Sequence, residues 1–164
     1  MSSENLDALR QQLGRDDQAY QAAVNDFDAA AARVLGVNPT DLRCLEILLA
    51  QPTALPSQLG EQLGLTSGSV TTMLDRLQQQ GYLTRTPDPT DRRKVIVRAT
   101  PKATQKVWVE LYQPLVTEGF EAIAHYSAAE LAMISDYLRR GRQLHQRHLT
   151  RVRAMPPAKR PNTP

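Results

Sequence analysis

A mainly α fold of the α+β class, in which short helices lead into a single β-hairpin, is predicted by three observations on the chain. Apolar residues recur at helical spacing over most of the sequence. Two stretches on either side of Pro87-Asp88-Pro89-Thr90-Asp91-Arg92 alternate as strands do. Helix-start and helix-stop residues punctuate the remainder. At 164 residues the chain fits one ordinary domain able to bury a substantial core without disulfides or metals.

The elements follow in order. Asp16 to Leu35 reads as an alanine-rich helix with Tyr20, Val24, Phe27, Ala31 and Leu35 on one stripe and Gly36 as its stop. Asn38-Pro39-Thr40 starts a second helix, largely buried through Leu42, Leu45, Ile47, Leu48 and Leu49 and ended by Pro52. A third, short helix runs from about Ser57 to Gly64 and buries Leu59 and Leu63. The fourth begins after Leu65-Thr66 and stops at Gly81, which suits a left-handed cap. Tyr82 to Thr86 and Lys94 to Thr100 form the hairpin. Thr100-Pro101 opens a long helix in cap-then-proline order, and Ser127-Ala128-Ala129-Glu130 is a capping box that opens the last. Two short helices joined by Gly64-Leu65-Thr66 and followed by a basic hairpin make a winged helix-turn-helix.

Composition narrows the setting. One cysteine, Cys44, cannot form an internal disulfide, and with three scattered histidines it offers no zinc set; a reducing cytoplasm is expected. No basic leader precedes an apolar run, and the richest apolar stretch is interrupted by Glu46, so neither export nor a membrane span is expected. Charge is unevenly placed. The first fifty residues are predominantly acidic. From Arg76 to Lys106 the bases Arg76, Arg85, Arg92, Arg93, Lys94, Arg98, Lys102 and Lys106 face only Asp88 and Asp91. That basic middle is where a polyanion would dock.

On the fourth helix Val70, Met73, Leu74 and Leu77 fall at core spacing, which turns Ser69, Thr72, Arg76 and Gln79 outward. Short hydroxyls and longer donors of this kind reach base edges and phosphates in a major groove about 12 Å wide. Ser67 and Gly68 sit at the helix start, where unpaired amides and the dipole favour a phosphate. Taken alone, the face reads equally as a solvated surface with a capped start.

The segment Asp88-Pro89-Thr90-Asp91-Arg92-Arg93-Lys94-Val95-Ile96-Val97-Arg98-Ala99-Thr100 closely resembles the MarR family of bacterial regulators, with its Asp-x-Arg wing signature, alternating strand and capping threonine. Leu65-Thr66-Ser67-Gly68-Ser69-Val70-Thr71, and Asp75-Arg76-Leu77 through Gly81-Tyr82-Leu83, resemble that family's recognition helix and its exit. The resemblance covers about residues 39–106. Gly60 departs from the alanine usual there, at a cost of roughly 1 kcal/mol to the third helix, and Pro101-Lys102-Ala103 replaces a glycine-containing start.

The resemblance implies a homodimer that binds double-stranded DNA, with Ser67, Gly68, Ser69, Thr71, Thr72, Arg76, Asp91, Arg92, Arg93 and Lys94 as the DNA-binding residues. It implies a wing arginine in the minor groove, here Arg93 with Arg92 beside it. Asp91 can hold Arg93 by a charge-assisted hydrogen bond before DNA arrives. The bland alternative is a solubilising turn. By the same resemblance residues 1–36 form an N-terminal dimerisation helix, 37–100 the DNA-binding lobe and 101–155 C-terminal dimerisation helices; the composition of 156–164 reads as a disordered tail. Leu111, Leu115, Phe120, Ile123, Leu131, Ile134, Leu138 and Leu144 supply the apolar surface for pairing. The Arg139 to Arg153 series reads as a solvated face or as a contact to flanking phosphates.

Relatives of this kind often take small aromatic effectors, although no motif here identifies one. Cys44, flanked by Leu42, Leu45 and Leu48, reads as a small buried hydrophobe rather than a redox sensor. No catalytic set, phosphate loop, cofactor motif or metal spacing is readable, so an enzyme is not expected. A regulator, expected to repress, stands ahead of a winged-helix protein-interaction module without DNA affinity, whose hallmark would be loss of the basic wing.

Overall fold

Local capping chemistry fixes most element boundaries in the computed structural model, which describes residues 3–156. Asn38 accepts a hydrogen bond from the Asp41 amide at 2.8 Å and starts α2 (Pro39–Ala50). Gln58 reaches back to the Leu55 amide at 2.9 Å, with Pro56 opening α3 (Pro56–Leu63). Thr66 caps α4 (Ser67–Gln79) through the Ser69 amide. Gly64 and Gly81 close these helices with φ of 67° and 76°, a region that glycine enters without a Cβ penalty.

The first helix is longer than its apolar stripe predicted. α1 spans Ser3–Leu35, not Asp16–Leu35. Its first half buries none of its described side chains, but Glu4 suits the helix start, and Arg10–Asp7, Gln12–Asp16 and Gln21–Asp17 pairs at helical spacing support it. Leu6, Leu9 and Leu13 remain exposed along it.

Strands β1 (Leu83–Pro87) and β2 (Val95–Ala99) pair antiparallel with Leu83 opposite Ala99 and Pro87 opposite Val95. Ala54, in the loop between α2 and α3, adds a bridge to Val97 by two backbone hydrogen bonds of 3.0 and 2.8 Å. The wing is thereby fastened to the helical lobe at its inner strand, a link that the sequence did not predict.

The helix predicted after Thr100-Pro101 contains an unpredicted change of geometry. A short α5 (Pro101–Ala103), capped by Thr100, passes into nine π-helical residues, Thr104–Tyr112, before α6 (Gln113–Ile123). The Ser127–Glu130 capping box opens α7 (Ala128–Arg153) as expected.

The chain divides into two compact units, Met1–Thr117 and Glu118–Pro164. In the first, one core gathers Leu42, Cys44, Leu45 and Leu48 from α2, Leu59 from α3, Val70, Met73, Leu74 and Leu77 from α4, Leu83 and Val97 from the hairpin, and Val107 from the π-helical residues. Burying side chains of this size stabilises by about 1.5–3 kcal/mol each, so α2 is the hub. Gly60 lies in the same packing. A Cβ there would stand 3.1 Å from Val70 Cγ2 and 3.4 Å from the Leu65 carbonyl, so the glycine lets α3 and α4 approach closely, an effect that the helix-propensity argument does not include. In the second unit α7 buries none of its residues, and Leu131, Met133, Ile134, Leu138, Leu144, Leu149 and Val152 are exposed. Of the tail expected at 156–164, all but Pro156 lies outside the described residues.

Candidate nucleic-acid interface

The recognition helix is seated by its apolar side and its far end. Val70, Met73, Leu74 and Leu77 are at most 3% exposed, which leaves Ser67, Gly68, Ser69, Thr71 and Thr72 at the surface. Their hydroxyls are not idle. Thr71 Oγ1 donates to the Ser67 carbonyl and Thr72 Oγ1 to the Gly68 carbonyl, both at 3.1 Å, and Ser69 Oγ lies 2.9 Å from Thr66 Oγ1. With the threonine hydrogens directed into the helix, the oxygens present lone pairs outward and can exchange these weak internal bonds for donors or phosphates outside.

Arg76 is more constrained than its place on the helix suggested. Its Nε and Nη2 donate to Oδ2 and Oδ1 of Asp41 at 2.7 and 2.6 Å, in a bidentate pair with a carboxylate that has no solvent exposure. That hydrogen bonding raises the guanidinium above its already high ordinary pKa. The pair ties α4 to the first turn of α2. Arg76 keeps only part of its hydrogen-bonding capacity for a ligand.

Arg85 on β1 makes a second tie that the sequence did not disclose. Its Nε donates to Gln78 Oε1 and its Nη2 to Asp75 Oδ1, both at 2.6 Å, so the hairpin is clamped to the exposed side of α4. Thr100 Oγ1 donates to the Gly81 carbonyl at 2.8 Å, and Lys102 Nζ reaches the Gln80 carbonyl at 2.7 Å while lying over the Tyr82 ring. Tyr82 in turn donates to the Leu35 carbonyl. Helix end, wing base and the close of α1 thus form one hydrogen-bonded block.

At the wing tip the organising residue is Asp88. Its Oδ1 accepts from the Thr90 amide at 2.7 Å, the Thr90 hydroxyl at 2.6 Å and the Asp91 amide at 3.3 Å. The Thr90 hydroxyl, with its amide next, holds the carboxyl below its ordinary pKa. The Asp91–Arg93 pair is looser than a charge-assisted bond. Arg93 Nε stands 3.4 Å from Asp91 Oδ1, the Arg93 amide 3.2 Å, and Lys94 Nζ is 3.8 Å from Oδ2. The Arg93 side chain is 93% exposed, and Arg92 makes no ion pair among the described residues. Three cations are therefore displayed on a tip whose backbone is ordered by carboxylates.

Cys44 is fully buried, and burial first, then Asp41, pushes its thiol up to about 12. Among the described residues no group of His, Cys, Asp and Glu has the arrangement of a metal site, and no helix is long and apolar enough to cross a membrane.

Helix-turn-helix, wing and exposed basic tip together define a winged helix-turn-helix protein of the transcription-regulating, DNA-binding class. The MarR family profile matches residues 37–95. The chain is 34% identical over 127 residues to the HTH-type transcriptional regulator YcgE of Bacillus subtilis (strain 168), covering 77% of this chain and 82% of that one. It is 31% identical over 123 residues to the HTH-type transcriptional regulator MhqR of the same organism, covering 75% and 83%. Among solved structures, the transcriptional regulator Tm0710 from Thermotoga maritima superimposes with a TM-score of 0.56 at 26% identity, over 85% of this chain and 98% of that one. The chain belongs to the MarR family of transcriptional regulators.

Proposed function

We propose that the chain binds a near-palindromic operator in double-stranded DNA as a homodimer, represses transcription there and is released by a small-molecule effector. The observation that carries the reading is the pairing of an anchored recognition helix, whose exposed start bears Ser67, Ser69, Thr71 and Thr72, with a wing tip that exposes Arg92, Arg93 and Lys94. In this reading Gly68 and the α4 amides approach a phosphate, the hydroxyls face the major groove, and Arg93 enters the adjacent minor groove with Arg92 and Lys94 on its walls. Asp91 restrains the tip, and Arg76 acts chiefly by holding α4, with its remaining donors available to the backbone.

Two-fold pairing is supported by apolar surface that each unit leaves uncovered. In the first, Leu6, Leu9 and Leu13 of α1 are exposed; in the second, Phe120, Ile123, Leu131, Ile134 and Leu138 are. Faces of this extent mark interaction sites. Residues 1–36 and 101–155 serve dimerisation, and 37–100 serve DNA. The place of action is the cytoplasm, on chromosomal DNA. Effector release is supported by a cavity of about 660 Å³ between α1, α2 and the π-helical residues, within the usual range for small-molecule sites.

The test is binding of the purified chain to DNA upstream of its own gene at several salt concentrations. A protected near-palindrome with half-sites about 10 base pairs apart is the expected result, and no binding above that of unrelated DNA at physiological salt would overturn the reading.

A further inference from the structure

The cavity has an electrostatic character that selects among ligand classes. Val24, Leu49, Val107 and Trp108 give it apolar and aromatic walls, and Asp28, Arg43, Glu46, Thr104 and Tyr112 supply its polar edge. The π-helical residues shape one side, since Thr104, Trp108 and Tyr112 recur every fourth position along that wall. Trp108, which lines the cavity, is 43% exposed.

Two carboxylates share that edge with one guanidinium, so its net charge is negative. The single phenol hydrogen of Tyr112 is shared between Glu46 Oε1 at 2.5 Å and Asp28 Oδ1 at 3.0 Å. Burial, then these two carboxylates, holds the phenol well above the ordinary tyrosine range, so it remains a donor. Arg43 Nη1 is bound to Glu46 Oε2 at 2.7 Å, which leaves Glu46 neutralised. Asp28 has no hydrogen-bond or ion-pair partner other than the Tyr112 hydroxyl among the described residues. One carboxylate beside an aromatic cavity therefore lacks a counter-charge.

We propose that this cavity takes an organic cation, an amine or quaternary ammonium with an aromatic or branched apolar body, whose charge pairs with Asp28 and packs against Trp108. The assignment rests on the reading of the cavity as the effector site and specifies its ligand class. A cation gains Coulomb attraction to Asp28 and a cation–π contact with the indole, while its body covers Val24, Leu49 and Val107. A carboxylate or phenolate in the same place would face two carboxylates, and the one guanidinium present is already paired. A neutral ligand would keep the apolar contacts and at most a hydrogen bond to Asp28, without the Coulomb attraction.

Trp108 is the sole tryptophan, so its fluorescence reports on the cavity directly. The chain is titrated with benzyltrimethylammonium, benzyl alcohol and benzoate, with calorimetry as a second readout. The expected result is saturable binding of the cation with a Kd at least tenfold below those of the alcohol and the anion. Asp28→Asn should raise the cation's Kd about tenfold while leaving that of the alcohol unchanged. Asp28→Ser provides the same test if the first variant fails to fold, with thermal melting as the check. Benzoate binding as tightly as the cation, an unaltered cation Kd in a folded Asp28→Asn protein, or no saturable signal from any probe would overturn the assignment. Operator DNA carrying a fluorescent label, present in a parallel titration, separates the two claims. Cation binding without DNA release supports the ligand class and overturns effector release; DNA release by benzoate alone does the reverse.

Discussion

Asp41 and Arg76, 35 residues apart in sequence, meet in a bidentate pair in which a carboxylate without solvent exposure accepts from both Nε and Nη2 of a half-buried guanidinium. Asp41 also belongs to the Asn38 capping box of α2. One residue thus starts the hub helix and orients the recognition helix.

Removing Arg76 should therefore act on the fold before it acts on any ligand. Arg76→Ala leaves a buried carboxylate without its cation, which costs about 3 kcal/mol, or roughly 6–12 °C in Tm for a chain of this size. Thr72→Ala, whose hydroxyl only donates to its own helix, should melt within about 0.5 kcal/mol of the parent. Thermal and urea unfolding of both variants check this. Equal melting of the two would show that the pair contributes nothing to the seating of α4.

Cys44 should be chemically silent in the folded chain. A thiol pushed up to about 12 is protonated at neutral pH, and its position in the core denies access. Its raised value means that burial favours folding below the ordinary thiol range and is lost as pH climbs toward 12. Thiol-labelling at pH 8 should be slow in buffer and complete in denaturant. Rapid native labelling, or peroxide-dependent loss of DNA binding that Cys44→Ala abolishes, would contradict the account.

The wing tip should be insensitive to pH across the physiological range. Asp88 titrates below its ordinary value of 3.8, so its ordering effect is fully present above that value and is lost as pH falls through the lower folded one. The Thr90 amide resonance should hold steady from pH 5 to 8 and shift only below about pH 4. A midpoint near neutrality would contradict the assignment of Asp88 as the organiser.

Tyr112→Phe removes the shared donor of Asp28 and Glu46 and should destabilise the first unit by about 1–3 kcal/mol at pH 7. Chemical denaturation measures it, and no change would place these carboxylates in contact with water instead.

The features legible in the sequence are those written in neighbouring residues. The Thr66 and Thr100 caps, the Ser127–Glu130 box, the glycine stop at Gly81 and the apolar seat of α4 are local signals, and all stand where the pattern placed them. The α1 start was legible and missed: Leu6, Leu9 and Leu13 recur at the i, i+3, i+7 spacing of a helix and extend the Tyr20–Leu35 stripe toward the N-terminus, although they remain exposed. The π-helical residues carry no composition of their own. The Asp41–Arg76 pair, the Arg85 clamp and the Ala54 bridge join residues from different elements, and single-chain spacing has no term for such meetings. For the interface, the exposed hydroxyls and wing cations were readable. The commitment of Arg76 to Asp41 and the loosening of Asp91 from Arg93 were not.

The central claim is that the α4 hydroxyl face and the wing cations together grip duplex DNA. Fluorescence anisotropy with the chain's own upstream DNA, between 50 and 200 mM salt, tests it in wild type and in Arg93→Ala. The Arg93 side chain is 93% exposed, so the variant should melt like the parent. The account predicts affinity that drops steeply with salt, and for Arg93→Ala weaker binding with a salt slope shallower by about one. Salt-independent binding, or an Arg93→Ala protein that binds as tightly as wild type with an unchanged slope, would contradict it.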